Sequence, residues 1–165
     1  MENDHDRLQT EIGRYKPVPW DQIPDLGLYM DQVITFITRA YEPLYGDSTK
    51  RYLSAPMINN YVKNRLIPRP SGKKYSRLQI AMLIMIVALK RVCVMEDIRV
   101  MLYTESEEEV QALYTRFCER QAQSLQEMLS RRGELAPAMD CAIFASAYRA
   151  GCEFLLGTES AAPEQ

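Results

Sequence analysis

From Ile80 to Leu89 every residue is apolar, Ile-Ala-Met-Leu-Ile-Met-Ile-Val-Ala-Leu. A helix built from this run has no polar face to offer to water, so it must be enclosed on all sides. The run is about half the length that a membrane span requires, and Lys90 and Arg91 close it. It therefore reads as a buried helix, predicted over Leu78 to about Lys90. Ser76 with Gln79 three residues later marks its start as a capping box. The chain has 165 residues, 47% of them apolar. That suffices to wrap such a helix in one domain, or one domain plus an appended helical segment, without disulfides.

The flanking segments divide by their punctuation. Residues 1–27 hold Pro17, Pro19 and Pro24 among polar residues and read as a tail and extended lead-in closing on Trp20 and Ile23. From Leu28 to about Tyr45 the apolar positions Met30, Val33, Ile34, Ile37, Tyr41 and Leu44 keep helical spacing, and Gly46 with Asp47 ends it. Ser54-Ala55-Pro56 starts a short helix over Met57 to about Asn64. Ile58, Tyr61 and Val62 share one face of it, while Asn59, Asn60 and Lys63 point away. Leu66 and Ile67 form an apolar hinge before Pro68. The stretch Pro68-Arg-Pro-Ser-Gly-Lys-Lys-Tyr75 is predicted as a small basic hairpin about a Ser-Gly turn. Beyond the buried helix, a short helix is expected over Glu96 to Tyr103. Ser106 and Glu109 form a second capping box, opening a long amphipathic helix that ends by Gly133. An Ala-rich helix follows Pro137 and stops at Gly157. No internal repeat is present. The expected architecture is all-α: a tail and lead-in (1–27), a winged helix-turn-helix domain (28–103), a C-terminal helical pair (104–157) and a tail (158–165).

The net charge of -2 conceals a strong asymmetry. Between Ser48 and Met95 there is no Asp or Glu, while Lys50, Arg51, Lys63, Arg65, Arg69, Lys73, Lys74, Arg77, Lys90 and Arg91 are all positive. The rest of the chain sets ten basic residues against all 22 acids. Ordinary solvated faces mix both signs, so an acid-free segment of this length points to a polyanionic partner.

In order, the middle of the chain reads helix, turn, short helix with outward polar residues, basic hairpin, buried helix, short helix. That is the order of a winged helix-turn-helix. In such a module the short helix enters the major groove of duplex DNA, with Asn59, Asn60, Lys63 and Asn64 toward base edges and the adjoining Arg65 beside them. The hairpin lays Arg69, Lys73 and Lys74 along phosphates, with Arg77 following. Asn suits base reading because its amide can pair bidentately with adenine N6 and N7.

The run Met57-Ile-Asn-Asn-Tyr-Val-Lys-Asn-Arg-Leu-Ile-Pro68, followed by Gly72-Lys-Lys-Tyr-Ser76 and an apolar helix, resembles the N-terminal DNA-binding domain of MerR-type regulators over roughly residues 52–103. The resemblance implies that Tyr61 takes the recognition-helix tyrosine position, Leu66 and Ile67 the hinge, and Lys74 with Tyr75 the end of the wing. Arg65 stands where MerR-type proteins place a glycine, so the helix exit needs another cap, with Asn64 in the left-handed region as the expected solution. Over most of its length the chain also resembles a bacterial domain-of-unknown-function family, through Leu28-Tyr-Met-Asp-Gln32, Met57-Ile-Asn-Asn-Tyr-Val-Lys63 and Lys73-Lys-Tyr-Ser76.

Other chemistries lack residues. Cys93, Cys118, Cys141 and Cys152 stand alone with no C-x-x-C pair, and the single histidine, His5, lies in the N-terminal tail, so neither a metal site nor a His-based dyad is expected. There is no Gly-rich phosphate loop, H-E-x-x-H or G-x-S-x-G. The expectation is a protein that is not an enzyme and needs no cofactor. Met1-Glu-Asn-Asp-His-Asp lacks the order of a signal peptide, which gives a cytoplasmic expectation with buried, reduced thiols. The expected function is a DNA-binding transcriptional regulator, with a homodimer through the C-terminal helices as one use of residues 104–157. A protein-interaction adaptor docking an acidic protein partner, and an accessory factor that bends DNA, are the alternatives.

Overall fold

A computed structural model describes residues 4–131 and 137–160. It contains α1 (Asp4–Ile12), α2 (Met30–Tyr45), α3 (Ala55–Lys63), α4 (Arg77–Leu89), α5 (Met95–Met101), α6 (Glu107–Ser130) and α7 (Pro137–Ser160), with 3-10 turns at Trp20–Gln22 and Gly46–Arg51. Among the described residues the structure is all-helical, with two isolated β-bridges and no strand.

The apolar run becomes α4, in which Gln79 to Val87 are all buried. The wrapping comes from every side. Val33, Ile37 and Tyr41 come from α2, Ile58 and Tyr61 from α3, Ile98 from α5, and Val110 and Tyr114 from α6. Each fully buried Ile or Leu contributes about 1.5–3 kcal/mol, so this one cluster holds the elements in place. The Ser76 capping box forms in both directions, and Gln79 does a second task. Its Oε1 accepts from Ser76 N at 2.7 Å and its Nε2 donates to Pro68 O at 3.0 Å, fastening the exit of α3 to the start of α4.

The lead-in is part of this core. Tyr15 and Ile23 are buried, the Tyr15 ring stacks on Tyr41 at 5.7 Å, and Trp20 lies 6.1 Å from Tyr114. Ahead of it, Asp4–Ile12 is helical where a tail was expected. Between α2 and α3 the chain folds into the 3-10 turn Gly46–Arg51, with Thr49 buried.

Four local expectations are corrected. The predicted hairpin is reduced to a tight turn. Lys74 N donates to Ser71 O at 3.0 Å across Gly72 (φ 55°) and Lys73 (φ 64°), and positive φ at both central residues is the type I′ arrangement. The ladder stops at that single bridge. Tyr75 pairs instead with Leu28 of the lead-in, through bonds of 2.8 and 3.0 Å. At the exit of α3 it is Arg65 (φ 56°), not Asn64 (φ -84°), that adopts the left-handed conformation. The second capping box forms by half: Ser106 Oγ accepts from Glu109 N, but Glu109 Oε2 accepts from Glu105 N. Lastly, α7 continues through Gly157 to Ser160. Gly133, the expected end of the preceding helix, lies outside the described residues, as do residues 161–165 of the expected tail.

Two predictions follow from this packing. Arg65→Gly should stabilise the protein by about 0.5–1 kcal/mol by relieving left-handed strain, read as a rise in the urea midpoint at unchanged slope. Burial pushes the Tyr15, Tyr41 and Tyr114 phenols up, while their hydroxyls donate to Gln121 Oε1, Ile84 O and Val18 O. An unfolded tyrosine ionises near pH ~10, below these folded values, so the unfolded chain loses its protons first. Stability should be intact below about pH 10 and fall as pH rises beyond it. Loss of helical circular dichroism should then coincide with the tyrosinate absorbance of the buried phenols.

Candidate nucleic-acid interface

Ser54 caps α3, its Oγ accepting from Met57 N, with Pro56 in the first turn. Ile58 and Tyr61 anchor one face in the core, the Tyr61 hydroxyl donating to Tyr52 O at 3.1 Å. Tyr75 is likewise buried beneath the turn. Both tyrosines are scaffold, and burial raises both phenols. With these faces fixed, the opposite face of α3 and the tip of the turn are left in water.

Between them lies an open cleft of about 340 Å³ lined by Asn59, Val62, Lys63, Arg69, Pro70, Lys73 and Tyr75. Four of the nine residues expected at a DNA surface, Asn59, Lys63, Arg69 and Lys73, thus meet at one place. An adjoining, more apolar cleft of about 620 Å³ adds Tyr29, Met30, Asp31, Ile34 and Ala55 to Asn59 and Lys73. Lys74 borders this surface, its ammonium 5.3 Å from the centre of the Tyr29 ring. Gly27 (φ 73°) lets the lead-in pass close to Lys74, since a Cβ there would stand 3.2 Å from Lys74 Cβ.

The other expected residues are placed differently. Asn60 and Asn64 are exposed on α3 and paired, Asn64 Nδ2 donating to Asn60 Oδ1 at 2.8 Å and to Asn60 O at 2.9 Å. Arg65 lies at the exit of α3, lining with Lys63 and Arg69 a groove of about 880 Å³ toward α5 and the start of α6. Arg77 is not part of the face. Its Nε donates to Ile23 O at 3.0 Å, its guanidinium lies 6.0 Å from the Trp20 ring centre, and it pairs with Asp25 at 3.8 Å. A cation directly before an apolar helix looked like part of the wing, but the lead-in captures it.

The electrostatics separate the acid-free segment into two groups. Lys50 pairs with Asp47, Arg77 with Asp25, and Arg91 is held between the Tyr45 and Tyr52 rings at 3.5 and 5.1 Å. Among the described residues Lys63, Arg65, Arg69, Lys73 and Lys74 form no ion pair within 4.0 Å. Arg51 and Lys90 also form no ion pair within 4.0 Å, and of these unpaired cations Lys63, Arg69 and Lys73 line the cleft. Two residues of the surrounding structure had no local sign in the sequence. Tyr29 reaches the turn only because Leu28 pairs with Tyr75, and Arg99 of α5 donates to Asn64 O at 3.0 Å, closing the free end of α3.

Residues 18–117 match the family described as Domain of unknown function (DUF1836), more than half of the chain. The chain belongs to the DUF1836 family. The DUF1836 match runs from the lead-in through the first half of α6, and so takes in the cleft and all that supports it, while α1 and α7 lie outside it. No curated protein and no solved structure matches this DUF1836 chain. No helix among its described residues is long and apolar enough to cross a membrane, and none of those residues gather as three or more potential metal ligands.

In this DUF1836 protein, Arg77→Ala should cost about 1–2 kcal/mol through loss of the bond to Ile23 O and the Trp20 contact. Arg69→Ala, which breaks no bond, should leave the denaturation midpoint within experimental error. Equal losses in the two variants would contradict these placements.

Proposed function

We propose that this protein is a DNA-binding regulator with a MerR-like helix-turn-helix, in which α3 lies in the major groove and the Gly72 turn meets the phosphate backbone. The observation that carries this reading is the meeting of Lys63, Arg69 and Lys73, all without acidic partners, with Asn59 around one open cleft. Exposed cations left without acidic partners favour a polyanion, because each phosphate contact releases condensed counterions. Asn59, inside the cleft, and Asn60, on the outer face, are the base-reading candidates. The Asn60–Asn64 pair holds the Asn60 amide in one orientation, and its free N–H donors and second carbonyl lone pair remain for a base edge.

The adaptor reading shares the cationic face but has a separate observation in its favour. On α7 the side chains of Tyr148, Phe154 and Leu155 are 63–72% exposed, a surface suited to protein rather than to nucleic acid. Pairing of two copies through the C-terminal helices would use the same side chains within the DNA-binding reading.

The test is anisotropy of a random-sequence duplex titrated with the purified protein across a salt series. The expected wild-type result is a steep loss of affinity with salt. Replacing Lys73 and Lys74 by Ala should flatten the slope by about two units, and replacing Lys63 and Arg69 should flatten it by about two more. Asn59→Ala and Asn60→Ala should leave the random-sequence slope unchanged and reduce preference among selected sequences. Absence of binding by folded protein at low salt would favour the adaptor.

A further inference from the structure

All four cysteines are free thiols, and two of them meet. Cys93 is buried at the corner between α4 and α5, and Cys152 is half-buried on α7 against the same core. Far apart in sequence, they are brought together by the Arg149–Asp97 contact, which seats the turn of α7 before Cys152 on the first turn of α5, just after Cys93, and the two sulfurs act on one another. Cys118 is occupied elsewhere, donating to Val18 O at 3.6 Å, and Cys141 is exposed.

The pair has a cation fixed beside it. Arg149, one turn before Cys152, is held by Asp97 of α5 at 3.2 Å and by Glu153 at 2.9 Å. Its positive charge acts on the Cys93 thiol, and its Nη1 is buried with no hydrogen-bond partner. A buried donor without an acceptor is costly, and an anionic sulfur or sulfur-bound oxygen at this place would supply one. Burial and the adjoining Cys152 sulfur push the Cys93 thiol up, against the pull of Arg149. The more accessible Cys152 is the one an oxidant meets first.

We propose that Cys93 and Cys152 are a reversible thiol–disulfide site, oxidised by hydroperoxides, that ties α7 covalently to the α4–α5 corner. The Cys152 thiolate attacks one oxygen of hydrogen peroxide, the O–O bond breaks, and the departing hydroxide takes a proton to leave as water. Cys152 is then a sulfenic acid. The Cys93 sulfur attacks that sulfur, the S–S bond forms, the S–O bond breaks, and the hydroxyl leaves as a second water with the Cys93 proton. Two electrons pass from the sulfur pair to the peroxide. A dithiol reductant returns both thiols by exchange. This site is independent of the DNA-binding reading and also supplies an input that the sequence otherwise lacks.

The experiment uses the full chain carrying Cys141→Ser, which removes the exposed thiol able to cross-link two copies. Hydrogen peroxide should lower the intact mass by about 2 Da, as expected for two thiols becoming one disulfide. The titratable thiols should fall from three to one, and a non-reducing peptide map should join Cys93 to Cys152. Closing so long a loop should raise the Tm by about 5–10 °C, and dithiothreitol should reverse every change. Adding Cys152→Ser, at a half-buried and tolerant position, should abolish the mass loss in a folded protein, whereas adding Cys118→Ser should preserve it. Retention of all three thiols under peroxide, or a disulfide joining any other pair, would overturn the proposal.

Discussion

The enclosure of α4 is the condition on which everything else in this protein rests. A helix without a polar face cannot lie at a surface, and here nine of its residues in succession are covered. That demand explains why the wrapping recruits so many short and irregular pieces. The lead-in contributes Tyr15 and Ile23, the hinge contributes Leu66 and Ile67, and the turn contributes Tyr75. Each is a small element that would not hold its shape alone, and each is fixed by burying one or two side chains against a common helix. The candidate interface inherits its rigidity in this way: α3 is anchored from beneath by Ile58 and Tyr61, the turn by Tyr75, and Gln79 links the two through Ser76 and Pro68.

Within that frame, the interface is defined by what the core leaves uncompensated. Ten cations occupy one acid-free segment, but the fold treats them unequally. Those near aromatic or acidic neighbours, Arg91 and Arg77 above all, are absorbed into packing, where a guanidinium plane can stack on a ring and keep its hydrogen bonds. Those on the outer side of α3 and the turn have no acidic partner within 4.0 Å, although Lys74 lies over the Tyr29 ring. A charge count along the chain finds the segment, and only the three-dimensional partners show which of its cations are left without an acidic neighbour.

The long-range plan of the fold was legible because it depends on periodicity and caps, which are local. The buried helix, the Ser76 box, α2 and the start of the long amphipathic helix lie where spacing and caps put them, within a residue or two. What could not be read depends on partners distant in sequence. Whether a basic Pro-Gly segment becomes a hairpin depends on which strand its returning arm finds, and Tyr75 finds Leu28. The left-handed exit of α3 falls to Arg65 rather than Asn64, because the Asn64 amide is engaged with Asn60 one turn back. The capture of Arg77 required knowing that Ile23 and Trp20 would lie beside it. Of the expected surface residues, Asn59, Lys63, Arg69 and Lys73 line one cleft, whereas Arg77, named only for its position between elements, packs on Ile23 and Trp20.

The single bridge that closes the turn has a consequence for how the protein behaves in a crowd of its own copies. A full hairpin wing presents an outer strand whose free N–H and C=O groups can be extended by another chain, the usual start of edge-to-edge aggregation. Here one arm carries prolines at 68 and 70, and the other is already paired to Leu28. The tip keeps Lys73 and Lys74 in water while offering no backbone edge to copy. A cationic finger is thus displayed in a form that cannot template a growing sheet.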